Sequence, residues 1–138
     1  MTIQQIQSEI ISEFNMFSDW TEKYEYIIDL GKNLPVIDPK FKTPENTIKG
    51  CQSKVWLHAE NNDNKIIFTA DSDAIITRGI VAILIRVFSN QSAEDIINTK
   101  ADFIEEIGLK QHLSQTRANG LSSMIKQIKL YAIAYSNK

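Results

Sequence analysis

The chain has 138 residues, of which 43% are apolar and 23% charged, and 15 Lys and Arg against 17 Asp and Glu give a net charge of -2. This is ordinary globular composition, long enough for one domain with a core of its own, and it excludes a disordered tail. So even a charge balance offers no basic field for a nucleic-acid backbone.

Taken in chain order, residues 3–17 place Ile3, Ile6, Ile10, Phe14 and Phe17 three and four apart, the spacing of one helical stripe. Ser18 or Asp19 is placed to cap a second helix, with Glu22 facing the positive end of its dipole. Its apolar face is Trp20, Tyr24, Ile27 and Ile28, and Gly31 is the expected stop, because glycine tolerates positive φ. All three prolines, Pro35, Pro39 and Pro44, fall in residues 32–45, which predicts an extended connection. Weak strand potential returns at Asn46-Thr47-Ile48.

Residues 55–59 and 65–69 read as two strands, joined through Asn61-Asn62-Asp63-Asn64, residues that accept left-handed backbone. Ser72 or Asp73 is the expected cap of a long helix reaching about Phe88, apolar nearly all round and so expected at the centre, with Trp56 and Phe68 assigned to the same core. The most apolar run, residues 79–87, is too short to span a bilayer and carries Arg86. Ser92 is placed to cap a short helix over 93–98, a brief turn follows at 102–107 and ends at Gly108, and a last helix runs from Ser114 to about Tyr135. Leu121, Met124, Ile128, Tyr131 and Tyr135 form its core stripe. The expectation is one α+β domain over residues 1–138, with about three antiparallel strands packed against helices. The first residues lack the basic and apolar regions of a signal peptide, so the expected location is the cytoplasm, without membrane or nucleic-acid partners.

Cys51 is the only cysteine, so no internal disulfide can form. Its neighbours Lys49, Gly50, Gln52, Ser53 and Lys54 are polar or small, and it falls where the chain must turn. Two readings stand side by side: an exposed, reactive thiol whose thiolate Lys49 and Lys54 favour, or a small buried hydrophobe. The paired ligands of a zinc site and the several thiolates of a cluster site are both missing from the sequence, so no metal or cofactor is expected. His58 and His112 are the only histidines. No orienting motif accompanies them, and each reads as a polar or structural contact rather than half of a Cys–His pair. Asp71-Ser72-Asp73 has two readings, as helix capping and as an acidic surface patch. Arg117 stands in the first turn of the last helix, where its charge opposes the dipole.

At this point the residues resemble a known family. Lys49-Gly50-Cys51-Gln52-Ser53-Lys54-Val55-Trp56 is similar to the signature loop of SufE-type sulfur acceptor proteins. Three further blocks follow the family's order: Trp20 to Gly31; Asp71-Ser72-Asp73-Ala74 with Gly79; and Gly108-Leu109, His112-Leu113-Ser114, Arg117 and Gly120-Leu121. The family often has Lys where Arg78 stands and Pro where Gln115 stands; neither departure touches the thiol.

The resemblance implies a fold shared with cluster scaffolds of the IscU/NifU type, and a persulfide carried on Cys51. It implies a PLP-dependent cysteine desulfurase of the SufS type as sulfur donor, stimulated by the carrier, which has no independent turnover. An iron–sulfur scaffold complex of the SufBCD type would receive the sulfur. Gly50, Gln52, Ser53, Asp71, Asp73 and Arg117 are the implied partner-binding residues. The rival readings are a non-covalent desulfurase adaptor, or an acceptor serving another route such as tRNA sulfuration.

Overall fold

A computed structural model describes residues 2–35, 37–51 and 53–136. Thr2 opens the first helix, α1 (Ile3–Asn15), with a capping box: its hydroxyl accepts from the Gln5 amide at 3.1 Å, and the Gln5 side chain accepts from the Thr2 amide at 2.9 Å. α2 (Trp20–Lys32) starts on Asp19, whose carboxylate accepts from the Glu22 amide at 2.9 Å. Two 3-10 turns, Pro39–Phe41 and Pro44–Asn46, shape the proline-rich connection.

The strands β1 (Val55–Asn62) and β2 (Lys65–Ser72) form an antiparallel hairpin. Both turn residues, Asp63 and Asn64, have positive φ, as the handedness of a two-residue hairpin requires. Alternation sends Val55, Leu57, Ala59, Ile66, Phe68 and Ala70 into the core. The expected third strand is reduced to a single bridge, Thr47 to Trp56, because the 3-10 turn at Pro44–Asn46 ends one residue earlier. Trp56 corrects its core assignment: it faces outward between alternating buried neighbours and is only half-buried, with the Lys42 ammonium 5.1 Å from its ring.

The central helix, α3 (Ile75–Phe88), buries Ile80, Val81, Ile83, Leu84, Val87 and Phe88 against α1, α2 and β2. Its one basic residue in the last turn reaches sideways to α1. Arg86 pairs with Glu13 through contacts of 2.7 and 2.5 Å and with Glu9 at 3.3 Å. These bonds hold the Glu13 carboxyl below its ordinary range, while burial and then the Glu13 bond push the Tyr26 phenol up to about 12.

Gly31 does not end α2 in a left-handed residue. The helix continues to Lys32, and a Cβ on Gly31 would lie 2.8 Å from the backbone nitrogen of Gly79. A Cβ on Gly79 would lie 2.1 Å from the Ile27 carbonyl oxygen, so two glycines let α2 and α3 cross in backbone contact. Beyond α3, Ser92 caps α4 (Ala93–Asn98) with a 3.1 Å bond from the Asp95 amide. α5 (Phe103–Glu106) leads to Gly108 at φ +75. α6 (Gln115–Ser136) then buries Gly120, Leu121, Met124, Ile128 and Ala132. Tyr131 and Tyr135 border that stripe half-buried, their hydroxyls donating to the β1 carbonyls of Leu57 at 3.5 Å and Ala59 at 2.9 Å.

Candidate functional site

The chain leaves the 3-10 segment after Ile48 and returns from Lys54 into the head of β1, and both ends of this excursion are tied. Ile48 donates to the Val55 carbonyl at 2.8 Å. The Lys54 amide donates to the Asp73 carboxylate at 3.0 Å, and the Asp73 amide returns a bond to the Lys54 carbonyl at 3.2 Å. The Ser72 hydroxyl donates to that same carbonyl at 2.8 Å. The loop therefore has a fixed base. At its tip Gly50 adopts φ +91, a conformation that disfavours any side chain.

This use of Asp73 and Ser72 corrects their reading as caps. The N-cap of α3 is Ala74, with no side-chain cap bond: the Asp73 carboxylate accepts from the Lys54 amide, and the Ser72 hydroxyl donates to the Lys54 carbonyl while accepting from the Ala74 amide at 3.3 Å. Nor do the two aspartates form an open acidic patch. Asp71 is buried at 7% exposure, paired with Lys42 at 2.9 Å and lying 3.3 Å from the Arg78 Nε without an aligned N–H bond. Asp73 is exposed.

Cys51 is half-buried, between the exposed and the buried placements expected of it. Its Sγ leans on α6, where the thiol donates a long bond to the Gly120 carbonyl at 3.7 Å. Gly120 is what admits it: a Cβ there would stand 3.3 Å from Sγ and 3.6 Å from the Cys51 Cα. Next to it, a Cβ on Gly50 would stand 2.7 Å from the Ser123 Oγ, so the loop rests on two turns of α6 through two glycines. Burial pushes the Cys51 thiol above its ordinary range. Lys49 and Lys54 are exposed and do not offset that burial, which corrects the expectation that they favour the thiolate.

Beside Sγ lies a cleft with room of about 10 Å³, lined by Cys51, Ser53, Thr77, Ile80, Arg117 and Gly120 among others. By that measure it holds about one water-sized atom. Arg117 is exposed at its edge, with its amide bonded to the Ser114 hydroxyl at 3.2 Å. Its guanidinium has no ion-pair partner among the described residues, so no neighbouring carboxylate explains a cation in the first turn of α6.

Of the residues picked out from sequence, Gly50, Cys51, Ser53 and Arg117 converge here. Asp71 and Asp73 act on the base of the loop, and Gln52 lies outside the described residues. Gly120, Ser123 and Thr77 were not assigned roles from sequence. A glycine inside a helix costs about 1 kcal/mol against alanine, and that cost was the available sign of a close approach at Gly120.

Neither histidine joins the thiol. The His58 ring stacks on Phe41 with centroids 3.5 Å apart and meets Glu60 at 3.0 Å. The His112 ring stacks on Trp20 at 3.9 Å, with its Nδ1 3.0 Å from the Gly108 carbonyl. Among the described residues no three His, Cys, Asp or Glu side chains gather as metal ligands, and no helix is long and apolar enough to cross a membrane.

Comparison with known proteins agrees with this architecture. A solution structure of a hypothetical protein from Thermus thermophilus superposes with a TM-score of 0.81 at 13% identity, over 96% of this chain and 97% of that one. Identity so low speaks for the fold alone. An uncharacterized SufE-like protein of Rhizobium meliloti is 45% identical over 126 residues, 88% of this chain and 90% of its own. One from Rhizobium etli is 43% identical over 126 residues, 88% of this chain and 85% of its own. The family profile described as "SufE: Fe-S metabolism associated domain" matches residues 8–132. With most of its length matched by that profile and by these relatives, the chain belongs to the SufE family.

Proposed function

We propose that this protein carries sulfane sulfur as a persulfide on Cys51, between a cysteine desulfurase of the SufS type and an iron–sulfur cluster scaffold complex of the SufBCD type. One observation carries the reading: the sole cysteine sits at the tip of a loop tied at its base, with Sγ seated in a cleft that has room for one more atom. The Cys51 thiolate attacks the outer sulfur of the donor persulfide. An S–S bond forms at Cys51 while the donor's S–S bond breaks, and the donor cysteine leaves as thiolate. The outer sulfur keeps its proton or yields it to solvent, so no oxidant or reductant is consumed.

A chain with one cysteine suits this role, because no second thiol is present to collapse the persulfide into an internal disulfide. A free thiol also suits the cytoplasm. In the seated state burial disfavours the thiolate, so transfer requires the tip to leave α6 when the donor docks. Gly50, Gln52, Ser53 and Arg117 are the residues we place at that contact. Asp73 and the buried Asp71 hold the loop's base and the sheet end beside it. Activation of the donor enzyme follows from removing its product sulfur.

Intact mass after incubation with a cysteine desulfurase and cysteine tests the reading. The expected result is one added sulfur atom on the native chain and none on Cys51→Ser. A Cys51→Ser protein that stimulates the desulfurase as well as the native one, with no persulfide on either, would instead identify a non-covalent adaptor.

A further inference from the structure

The wall of the Cys51 cleft holds a polar group that the fold does not use. Thr77 lies in the first turn of α3, in a helix whose other buried residues are apolar or glycine, and it is only 6% exposed. A helical threonine ordinarily satisfies its hydroxyl on the carbonyl one turn back. The Thr77 hydroxyl has no hydrogen-bond partner among the described residues. It is not among the sealed, unpartnered side-chain atoms of the interior either, so the oxygen keeps some exposure, and Thr77 is one of the residues that line the cleft. A hydroxyl that the fold leaves unpaired adds no stability that a valine of the same shape would not. Cys51, Ser53 and Arg117 line the same cleft, and the Arg117 guanidinium has no ion pair among the described residues.

We propose that Thr77 is a binding residue for the transferred sulfur, its hydroxyl donating a hydrogen bond to the terminal atom of the Cys51 persulfide when the loop is seated, with Arg117 supplying positive charge at the cleft's edge. This rests on the carrier reading above. The chemistry matches the space. The cleft's room of about 10 Å³ is on the order of one small atom and too little for an organic ligand. The terminal sulfur of a persulfide is more acidic than a thiol, so it enters the cleft as an anion that calls for a donor and a cation. The thiol without its extra sulfur needs neither: it donates to the Gly120 carbonyl of α6. Thr77 thus separates the loaded from the unloaded state, retaining the sulfur against small nucleophiles until a partner draws the loop out.

The test loads the full chain with inorganic polysulfide, removes the excess, and follows the release of thiocyanate in dilute cyanide. Cyanide takes the terminal sulfur and leaves the Cys51 thiolate. The native chain should hold its sulfur about five times longer than Thr77→Val, the loss expected for one hydrogen bond. Thr77→Ser, which keeps the hydroxyl and loses the methyl, should return most of that lifetime. Unloaded Thr77→Val should unfold at the same or a higher denaturant concentration than the native chain, since it sheds an unpartnered hydroxyl. Equal lifetimes for native and Thr77→Val would overturn the inference and leave the carrier reading standing. Loss of lifetime in Thr77→Ser as large as in Thr77→Val would also overturn it, by assigning the effect to packing. A native chain that takes up no sulfur from either polysulfide or a desulfurase overturns the carrier reading, and this inference with it.

Discussion

Two places in this molecule bring chain segments together by omitting a Cβ, and they do so to opposite ends. Where α2 crosses α3, Gly31 and Gly79 face backbone: the atoms a side chain would strike are the Gly79 nitrogen at 2.8 Å and the Ile27 carbonyl oxygen at 2.1 Å. Neither can move without moving a helix. Where the Cys51 loop meets α6, Gly50 and Gly120 face the Ser123 hydroxyl at 2.7 Å and the Cys51 sulfur at 3.3 Å, both of them side-chain atoms. The first contact is a lock within the core. The second is a seat, where a loop tied at its base rests its tip on side-chain atoms. Close approach by itself therefore says little about rigidity; what lies on the far side of the gap decides it.

The sharpest way to break the comparison is Gly79→Ala. With a carbonyl at 2.1 Å the helices must separate, and a loss of at least about 3 kcal/mol is expected by urea unfolding. A loss below about 1 kcal/mol would mean that the crossing is as forgiving as the seat.

Arg86→Ala probes the same core from the α1 side. It leaves Glu13 half-buried without its cation, and about 1–2 kcal/mol should be lost near neutral pH, since the pair is about a third exposed. The sign with pH follows from Glu13, whose pKa the Arg86 bonds depress. The stabilisation is complete above the ordinary glutamate range and disappears as pH falls through the lower, folded value. The gap between native and variant unfolding curves should therefore close on acidification; a gap that stays constant would remove the pair as its source.

Asp73→Ala tests the tied base of the loop. Losing the bond to the Lys54 amide should cost about 1 kcal/mol and speed hydrogen exchange at that amide, while α3 keeps its start at Ala74. Unchanged exchange at Lys54 would show that the backbone pairs alone hold the loop.

The smallest effect on stability belongs to Gly120→Ala, under about 0.5 kcal/mol, because better helix propensity offsets a contact that needs only a few tenths of an ångström. Its effect should appear at the thiol. Weakening the seat by about 1 kcal/mol raises the open population, and with it the alkylation rate of Cys51, about fivefold. In the native chain the alkylation profile should reach its midpoint above the ordinary thiol range, since burial raises the Cys51 pKa. The seat stabilises the protonated form, so its contribution is complete below the ordinary thiol pKa and is lost as pH rises through the folded one. Gly120→Ala should move that midpoint down. A variant with the native rate and midpoint would show that Gly120 does not hold the loop.

Much of this was legible in the residues themselves. Apolar spacing placed α1, α2 and α6, short polar side chains marked the caps at Asp19 and Ser92, and Asp63-Asn64 announced the hairpin. These are local effects: a cap or a turn is decided by atoms within four residues. The loop around Cys51 stood out for the same reason, by its composition and by the family pattern it carries.

What the sequence could not disclose depends on which segments face each other. Gly31 looks like a stop until α3 is laid against it. Ser72 and Asp73 look like caps until Lys54 arrives to claim both. Lys49 and Lys54 look able to favour the thiolate until the tip turns away from water and burial prevails. The sequence by itself determined that the chain has one thiol and that it falls at a glycine-bearing turn among polar or small neighbours. Only the tertiary structure decided that the thiol rests in a one-atom cleft between α3 and α6, because that cleft is made by residues, Thr77, Arg117 and Gly120, that lie 26 or more positions away along the chain.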